Sequence, residues 1–217
     1  MAVYDLEEQE QLAEMKAWWA QYGQLISTLV VAVAVASLSW QGWQWYQRKQ
    51  SAEAAALYSV VQRAAAQNDA AAARQATGQI LEKFDATAYA PMAALLSAKV
   101  QIAAGDAANA ALPLQWVADH AAEPTLRDIA RLRLAAIKLG AGELDAAQAA
   151  LAAPMAPMLG ARYHDLRGDV LVAAGKPEEA RTAYQAAIDA AGEINAAGDR
   201  SVDIIRLKRD ALSGVAR

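Results

Sequence analysis

The chain has no cysteine, one phenylalanine, two histidines and six prolines among 217 residues. Without cysteine there can be no disulfide and no thiolate metal ligand, and the redox character of the compartment is left open. His120 and His164 are too few for a typical zinc site, and neither sits in an HExxH or other paired-ligand spacing. GxxxxGK[ST], GxGxxG and GxSxG are also missing, which removes the usual phosphate loop, dinucleotide fingerprint and nucleophile elbow. Asp165 and Asp169 lie one helical turn apart and could bring two carboxylates together, but such a pair is ordinarily a solvated face. The sequence carries no visible sign of an enzyme and implies no cofactor and no metal.

What is abundant is alanine, which supplies much of the 56% hydrophobic content. Alanine is the strongest helix former, and β-branched residues cluster mainly in one early stretch, so the composition predicts an all-α protein. The net charge of −4 is uneven. Residues 1–23 carry Asp5, Glu7, Glu8, Glu10 and Glu14 against Lys16 alone, while the remainder is balanced. The large C-terminal part therefore has no overall field to attract nucleic acid.

Between Lys16 and Arg48 lie 31 residues without a formal charge. Residues 25–46 within that gap, LISTLVVAVAVASLSWQGWQWY, would extend ~33 Å as a helix, matching the roughly 30 Å hydrocarbon core of a bilayer. Trp18, Trp19 and Tyr22 bracket it on one side, and Trp40, Trp43, Trp45 and Tyr46 on the other. Such rings favour the lipid–water boundary. A buried core helix would normally show a polar stripe, and a cleaved signal would have a basic rather than an acidic leader. The reading is one retained span over residues 24–46, between an acidic segment at 1–23 and a domain at 47–217. Leu12, Met15, Trp19 and Tyr22 form a stripe just before it, suited to the headgroup level or to lateral contact with another membrane subunit. The flanking cations, Lys16 before the span and Arg48, Lys49 and Arg63 after it, favour a cytoplasmic C-terminal domain.

A spaced pattern runs through the remainder. NDAAAA at 68–73, GDAANA at 105–110, GELDAA at 142–147 and GKPEEA at 175–180 each set a turn residue five positions before an alanine. The intervals are 37, 37 and 33 residues, the period of helix–turn–helix repeats of the tetratricopeptide kind. That pattern asks for a small residue midway along the first helix, a turn glycine, then small, large and small along the second. The last unit has Gly168, Leu171, Gly175, Ala180, Tyr184 and Ala187 in those places. The preceding unit offers Ala135, Gly142, Ala147 and Leu151, with Lys138 where an apolar residue is usual. The second unit has Ala98, Gly105, Ala110, Leu114 and Val117. The first is degenerate, with Thr77 in place of the bulky residue. Small residues let helix backbones approach, and large ones fill the grooves beside them. A chance match by an alanine-rich bundle is the competing reading.

Prolines at 91, 124, 154 and 157 punctuate the units, residues 193–199 read as a turn, and SVDIIRLKRDAL reads as a capping helix, apolar inward and polar outward. The fold class is thus all-α: one N-terminal transmembrane helix, then about four helical hairpins and a cap. Stacked hairpins present a concave surface lined by their first helices. Repeat position assigns Tyr58, Gln62, Leu95, Lys99, Leu132, Asp165 and Asp169 to it as candidate partner-binding residues. His120 and His164 are expected to cap or pack, and Arg127, Arg131 and Arg133 to pair within their helix with Asp128.

The acidic leader YDLEEQEQLAEMKAWWAQYGQLI, residues 4–26, followed by a single span, resembles the YfgM-type ancillary subunits of the bacterial SecYEG translocon. The resemblance covers essentially the whole chain. It implies an inner-membrane protein with a cytoplasmic N-terminus and a tetratricopeptide-like periplasmic domain. It also implies association with SecYEG and with a PpiD-type chaperone, and help for newly translocated, unfolded proteins. This topology is the reverse of the one the basic flanks favour.

Overall fold

The computed structural model describes residues 3–193 and 200–213, and no strand occurs among them. The chain divides into two units between Ala52 and Glu53.

The first helix, α1, runs Val3–Ala66. No proline occurs before Pro91, so nothing removes a backbone donor along its length. Gly23 is covered by its own neighbour one turn back, and a Cβ there would lie 3.0 Å from Trp19 Cε2. From Leu25 to Trp45 the large apolar side chains other than Ile26 stand more than half exposed, and among the described residues one segment, Gln11–Ala66, is long and apolar enough to cross a membrane.

In the second unit the end of α1 pairs with α2 (Ala70–Lys83), α3 (Tyr89–Ala103) with α4 (Ala107–His120), α5 (Pro124–Gly140) with α6 (Leu144–Ala150), and α7 (Gly160–Ala173) with α8 (Pro177–Glu193). A single 3-10 turn, Pro157–Leu159, precedes α7, and α9 (Arg200–Ser213) follows α8. Among the described residues this forms a tetratricopeptide-like array of four hairpins and a terminal helix.

The spaced pattern of the sequence coincides with the turns. Asn68 (φ 56°), Gly105 (79°), Gly142 (75°) and Gly175 (72°) are the residues with positive φ among those described. Each closes its helix by the same pair of bonds. The turn residue's N–H donates three residues back, and the next N–H five back, as in Gly175 to Val172 and Lys176 to Leu171, at 3.0 and 2.9 Å. This left-handed Schellman closure satisfies carbonyls that a helix end leaves orphaned, and it explains why glycine or asparagine stands there. Asp69 and Asp106 then accept from the N–H groups of Ala72 and Asn109, starting the second helices. The alanines that follow, Ala73, Ala110, Ala147 and Ala180, are all fully buried.

Close approach is tightest in the fourth hairpin. Tyr184 of α8 lies over Gly168 of α7, where a Cβ would come within 2.9 Å of Cζ and 2.5 Å of Cδ1. In the degenerate first hairpin Thr77 is buried, with its hydroxyl 3.4 Å from the Ala93 carbonyl. The bulk it lacks is supplied by Ile80 and Phe84, packed with Ala54, Val61, Ala90 and Ala93.

The proline-rich segment after α6 is tied down by Asp128. This buried carboxylate on α5 accepts from the Ala156 N–H at 2.9 Å and pairs with Arg131 at 3.4 Å. Residues 194–199, most of the stretch read as a turn, lie outside the described residues. In α9, Val202 and Ile205 are buried, and Ile205 and Leu212 pack against α8, as a capping helix requires. Its outer surface is not wholly polar, however: Ile204 and Leu207 are 55% and 70% exposed.

Candidate interaction face and membrane anchor

The four turns give a common register for the first helix of each hairpin. Ten residues before each turn stand Tyr58, Leu95, Leu132 and Asp165; six before stand Gln62, Lys99, Ala136 and Asp169. The structure separates these candidates. Gln62 and Lys99 are exposed. Tyr58 is half-buried with its ring 5.7 Å from that of Tyr89, and Leu95 is half-buried beside the α3–α4 core. Leu132 differs: it is buried with Ala135, Ala147, Leu151 and Val170, so it helps fill the core rather than the surface.

Asp165 and Asp169 do lie together, yet not free. Lys208 of α9 donates to Asp165 Oδ1 at 2.8 Å and Asp169 Oδ2 at 2.9 Å. Tyr184 Oη donates to Asp169 Oδ1 at 2.8 Å, and the Lys208 ammonium lies 5.7 Å from the Tyr184 ring centroid. Burial opposes the charge on Lys208, but the two carboxylates outweigh it and hold its pKa above the ordinary lysine value. Burial first, and then the bond to Asp169, push the Tyr184 phenol upward as well. The carboxylate pair thus fastens α9 to α7. A basic residue some forty positions away, on a separate helix, could not be matched to it by local spacing.

The register also identifies residues that sequence reasoning missed. Ile102 of α3 and Val172 of α7 occupy the same first-helix position, three residues before the turn, and Met92 of α3 stands thirteen before its turn; each is more than 40% exposed. Ile204 of α9 is likewise exposed. Isolated exposed apolar residues are commonplace, but the recurrence of Ile102 and Val172 at one register position is the mark of a contact surface.

The arginines of α5 do not all pair within their helix. Arg131 does, with Asp128. Arg127 Nη1 donates to the Ala121 carbonyl at 2.7 Å, and Arg133 Nη1 to the Leu95 carbonyl at 3.0 Å. His120 stacks on Trp116 with centroids 5.1 Å apart, its Nδ1 3.0 Å from the Trp116 carbonyl. His164 meets the edge of Tyr163 at 4.9 Å, and burial and then Arg167 lower its pKa. Both histidines pack or cap. Among the described residues no group of three or more His, Asp or Glu could hold a metal ion.

In the anchor, Trp18, Trp19, Tyr22, Trp40, Trp43, Trp45 and Tyr46 are all exposed by 42% or more. Tyr22 and Trp40 are separated by about 27 Å of helix at 1.5 Å per residue, near the thickness of a bilayer core. Trp18 contacts Tyr22 at 5.7 Å, Trp43 contacts Tyr46 at 6.4 Å, and Lys49 lies over Trp45 at 5.8 Å.

Stacked helical hairpins, following a helix long and apolar enough to cross a membrane, define a helical-repeat protein with one candidate transmembrane span. The chain belongs to the tetratricopeptide repeat-like domain family, which it matches over residues 16–214. It is similar to the ancillary SecYEG translocon subunit of Haemophilus influenzae, 28% identical over 88% of this chain and 93% of the relative. Proteins of the same name from Neisseria gonorrhoeae and Escherichia coli are 26% and 25% identical over 85% and 87% of this chain, and 88% and 90% of their own. The likeness noted in the acidic leader and span therefore extends along nearly the whole sequence. No solved structure matches the chain.

Proposed function

We propose that the protein is a non-enzymatic, single-pass accessory subunit of the SecYEG translocon in the bacterial inner membrane. Its repeats bind newly translocated, unfolded polypeptides and link them to a PpiD-type periplasmic chaperone. The name shared by the relatives supports the translocon association. The recurrence of exposed Ile102 and Val172 at one position of the first helices, with Met92 exposed on the same helix as Ile102, carries the polypeptide-binding part. An apolar face with few fixed charges suits segments of varied sequence, because it demands no particular hydrogen-bond pattern. The N-terminus is cytoplasmic and the repeats periplasmic in this reading.

Site-specific photo-crosslinking from Lys99, in cells engaged in secretion, tests it. Adducts to secreted chains in transit are expected; adducts only to folded envelope proteins would reduce the repeats to a structural scaffold. The excess of Arg48, Lys49 and Arg63 over Lys16 favours a second reading, a docking module facing the cytoplasm. Thr182 is exposed on α8, and Thr182→Cys is expected to react with a membrane-impermeant maleimide in spheroplasts. Protection there, with reaction after lysis, would reverse the topology.

A further inference from the structure

The turns within hairpins lie at one edge of the stack, and the connections between hairpins, residues 84–88 and 121–123, lie at the opposite edge. Between those two connections opens a hollow of about 460 Å³, within the range that holds a small ligand or a large side chain. Its apolar walls are Pro91 and Met92 at the start of α3, Trp116 near the end of α4 and Leu126 at the start of α5. Trp116 and His120 stack with an interplanar angle of 13° and so present one flat aromatic wall. Met92 is 44% exposed. The hollow thus draws on second-helix residues and connecting loops, which the row of first-helix positions does not.

The helix ends around it come in opposite pairs, the C-terminal ends of α2 and α4 beside the N-terminal ends of α3 and α5, so their dipoles offset. Side chains decide the sign. Asp85 and Glu123 both line the hollow and are exposed, and neither has an ion-pair partner among the described residues. Asp85 accepts from the Ala86 N–H at 2.8 Å and Glu123 from the Thr125 hydroxyl at 3.0 Å, each through one oxygen. The lining holds no lysine or arginine. Arg127 donates to the Ala121 and Ala122 carbonyls at 2.7 and 3.4 Å and so braces the loop. We propose that this hollow takes an aromatic side chain of a bound polypeptide, with a neighbouring lysine or arginine of that polypeptide on Asp85 and Glu123. The ring suits the flat wall and the Met92 thioether, which gains from contact with aromatics. The cation suits the two carboxylates, which an anionic lipid surface would not. This rests on the reading of the repeats as a polypeptide-binding domain and names the kind of segment they favour.

The test uses the full chain in phosphatidylcholine nanodiscs and three fluorescent, unstructured peptides of one leucine-containing sequence. They differ at two adjacent positions, which are tryptophan–lysine, tryptophan–glutamine or alanine–lysine. Anisotropy titration at low salt is expected to show the first binding about threefold more tightly than the second, the gain of an exposed ion pair. It should bind about tenfold more tightly than the third, which lacks the aromatic anchor. Asp85→Asn combined with Glu123→Gln keeps the oxygens that accept from the Ala86 N–H and the Thr125 hydroxyl. This double variant should abolish the lysine preference and leave the tryptophan preference intact. With benzoylphenylalanine in place of the tryptophan, photo-crosslinks should map to residues 85–92 or 116–126. Equal binding of the tryptophan–lysine and alanine–lysine peptides, or crosslinks confined to other residues, would overturn the site while leaving the polypeptide-binding reading intact. A lysine preference that survives the double variant would overturn the role of Asp85 and Glu123. Binding of none of the three peptides would overturn both readings.

Discussion

Gly168→Ala is the sharpest probe of how the hairpins close. In an exposed helix the change would gain about 1 kcal/mol from alanine's higher helix propensity. Here the added methyl meets the Tyr184 ring at 2.5 Å from Cδ1 and 2.9 Å from Cζ, and Tyr184 is only 3% exposed. A buried aromatic ring cannot swing aside within a packed interior, so the helices must part or the ring must tilt, and overpacking of this kind costs about 1–3 kcal/mol. Tilting the ring also strains the 2.8 Å bond from Tyr184 Oη to Asp169, and a bond to a charged group contributes about 1.5–3 kcal/mol when intact. The net expectation is a loss of roughly 2–3 kcal/mol, after allowing for the propensity gain and for solvent screening of the half-exposed Asp169.

Gly78 is the internal control. A Cβ there has no neighbour within 4 Å, so Gly78→Ala should stabilise by up to about 1 kcal/mol. Urea unfolding of both variants and the parent, followed by far-ultraviolet circular dichroism in the same detergent, reads the difference. Adding Tyr184→Leu to Gly168→Ala should recover part of the loss, because the two positions share one contact. A Gly168→Ala protein as stable as its parent would refute the close approach and, with it, the hairpin register.

Three further outcomes follow from the same geometry. Gly142→Ala forces an L side chain into φ 75° and should cost about 1–2 kcal/mol in the same assay, whereas Asn68→Gly should be neutral or slightly stabilising. Lys208 and Tyr184 both have raised pKa values in the fold. The stability they contribute is whole below their unfolded values, about pH 10, and falls as pH rises through the folded ones; Lys208→Met should reduce the alkaline drop in urea midpoint, and an unchanged pH profile would count against the fastening of α9. Asp128→Ala removes the acceptor of the Ala156 N–H and should open residues 151–157 to limited proteolysis, with cleavage mapped by mass spectrometry, while Asp119→Ala at an exposed position should not.

The features legible in the sequence are those set by short-range chemistry. A charge-free run bounded by aromatics specifies a span-length helix because bilayer thickness and helix rise are fixed quantities. The turn residues at 68, 105, 142 and 175 could be read because only glycine or asparagine takes the left-handed closure cheaply, and the small alanines after them because helix crossings admit nothing larger. Contacts between repeats were a different matter. Lys208 meets Asp165 across forty-three positions and Arg133 meets the Leu95 carbonyl across thirty-eight, separations with no helical period to betray them. Leu132 sits in the same register as exposed or half-exposed residues of other hairpins, yet it is buried because α7 packs on it through Val170. Local backbone preference and side-chain size settled the elements and their turns. Stacking decided which carboxylates are already neutralised, since charge pairing depends on distance in space and not along the chain.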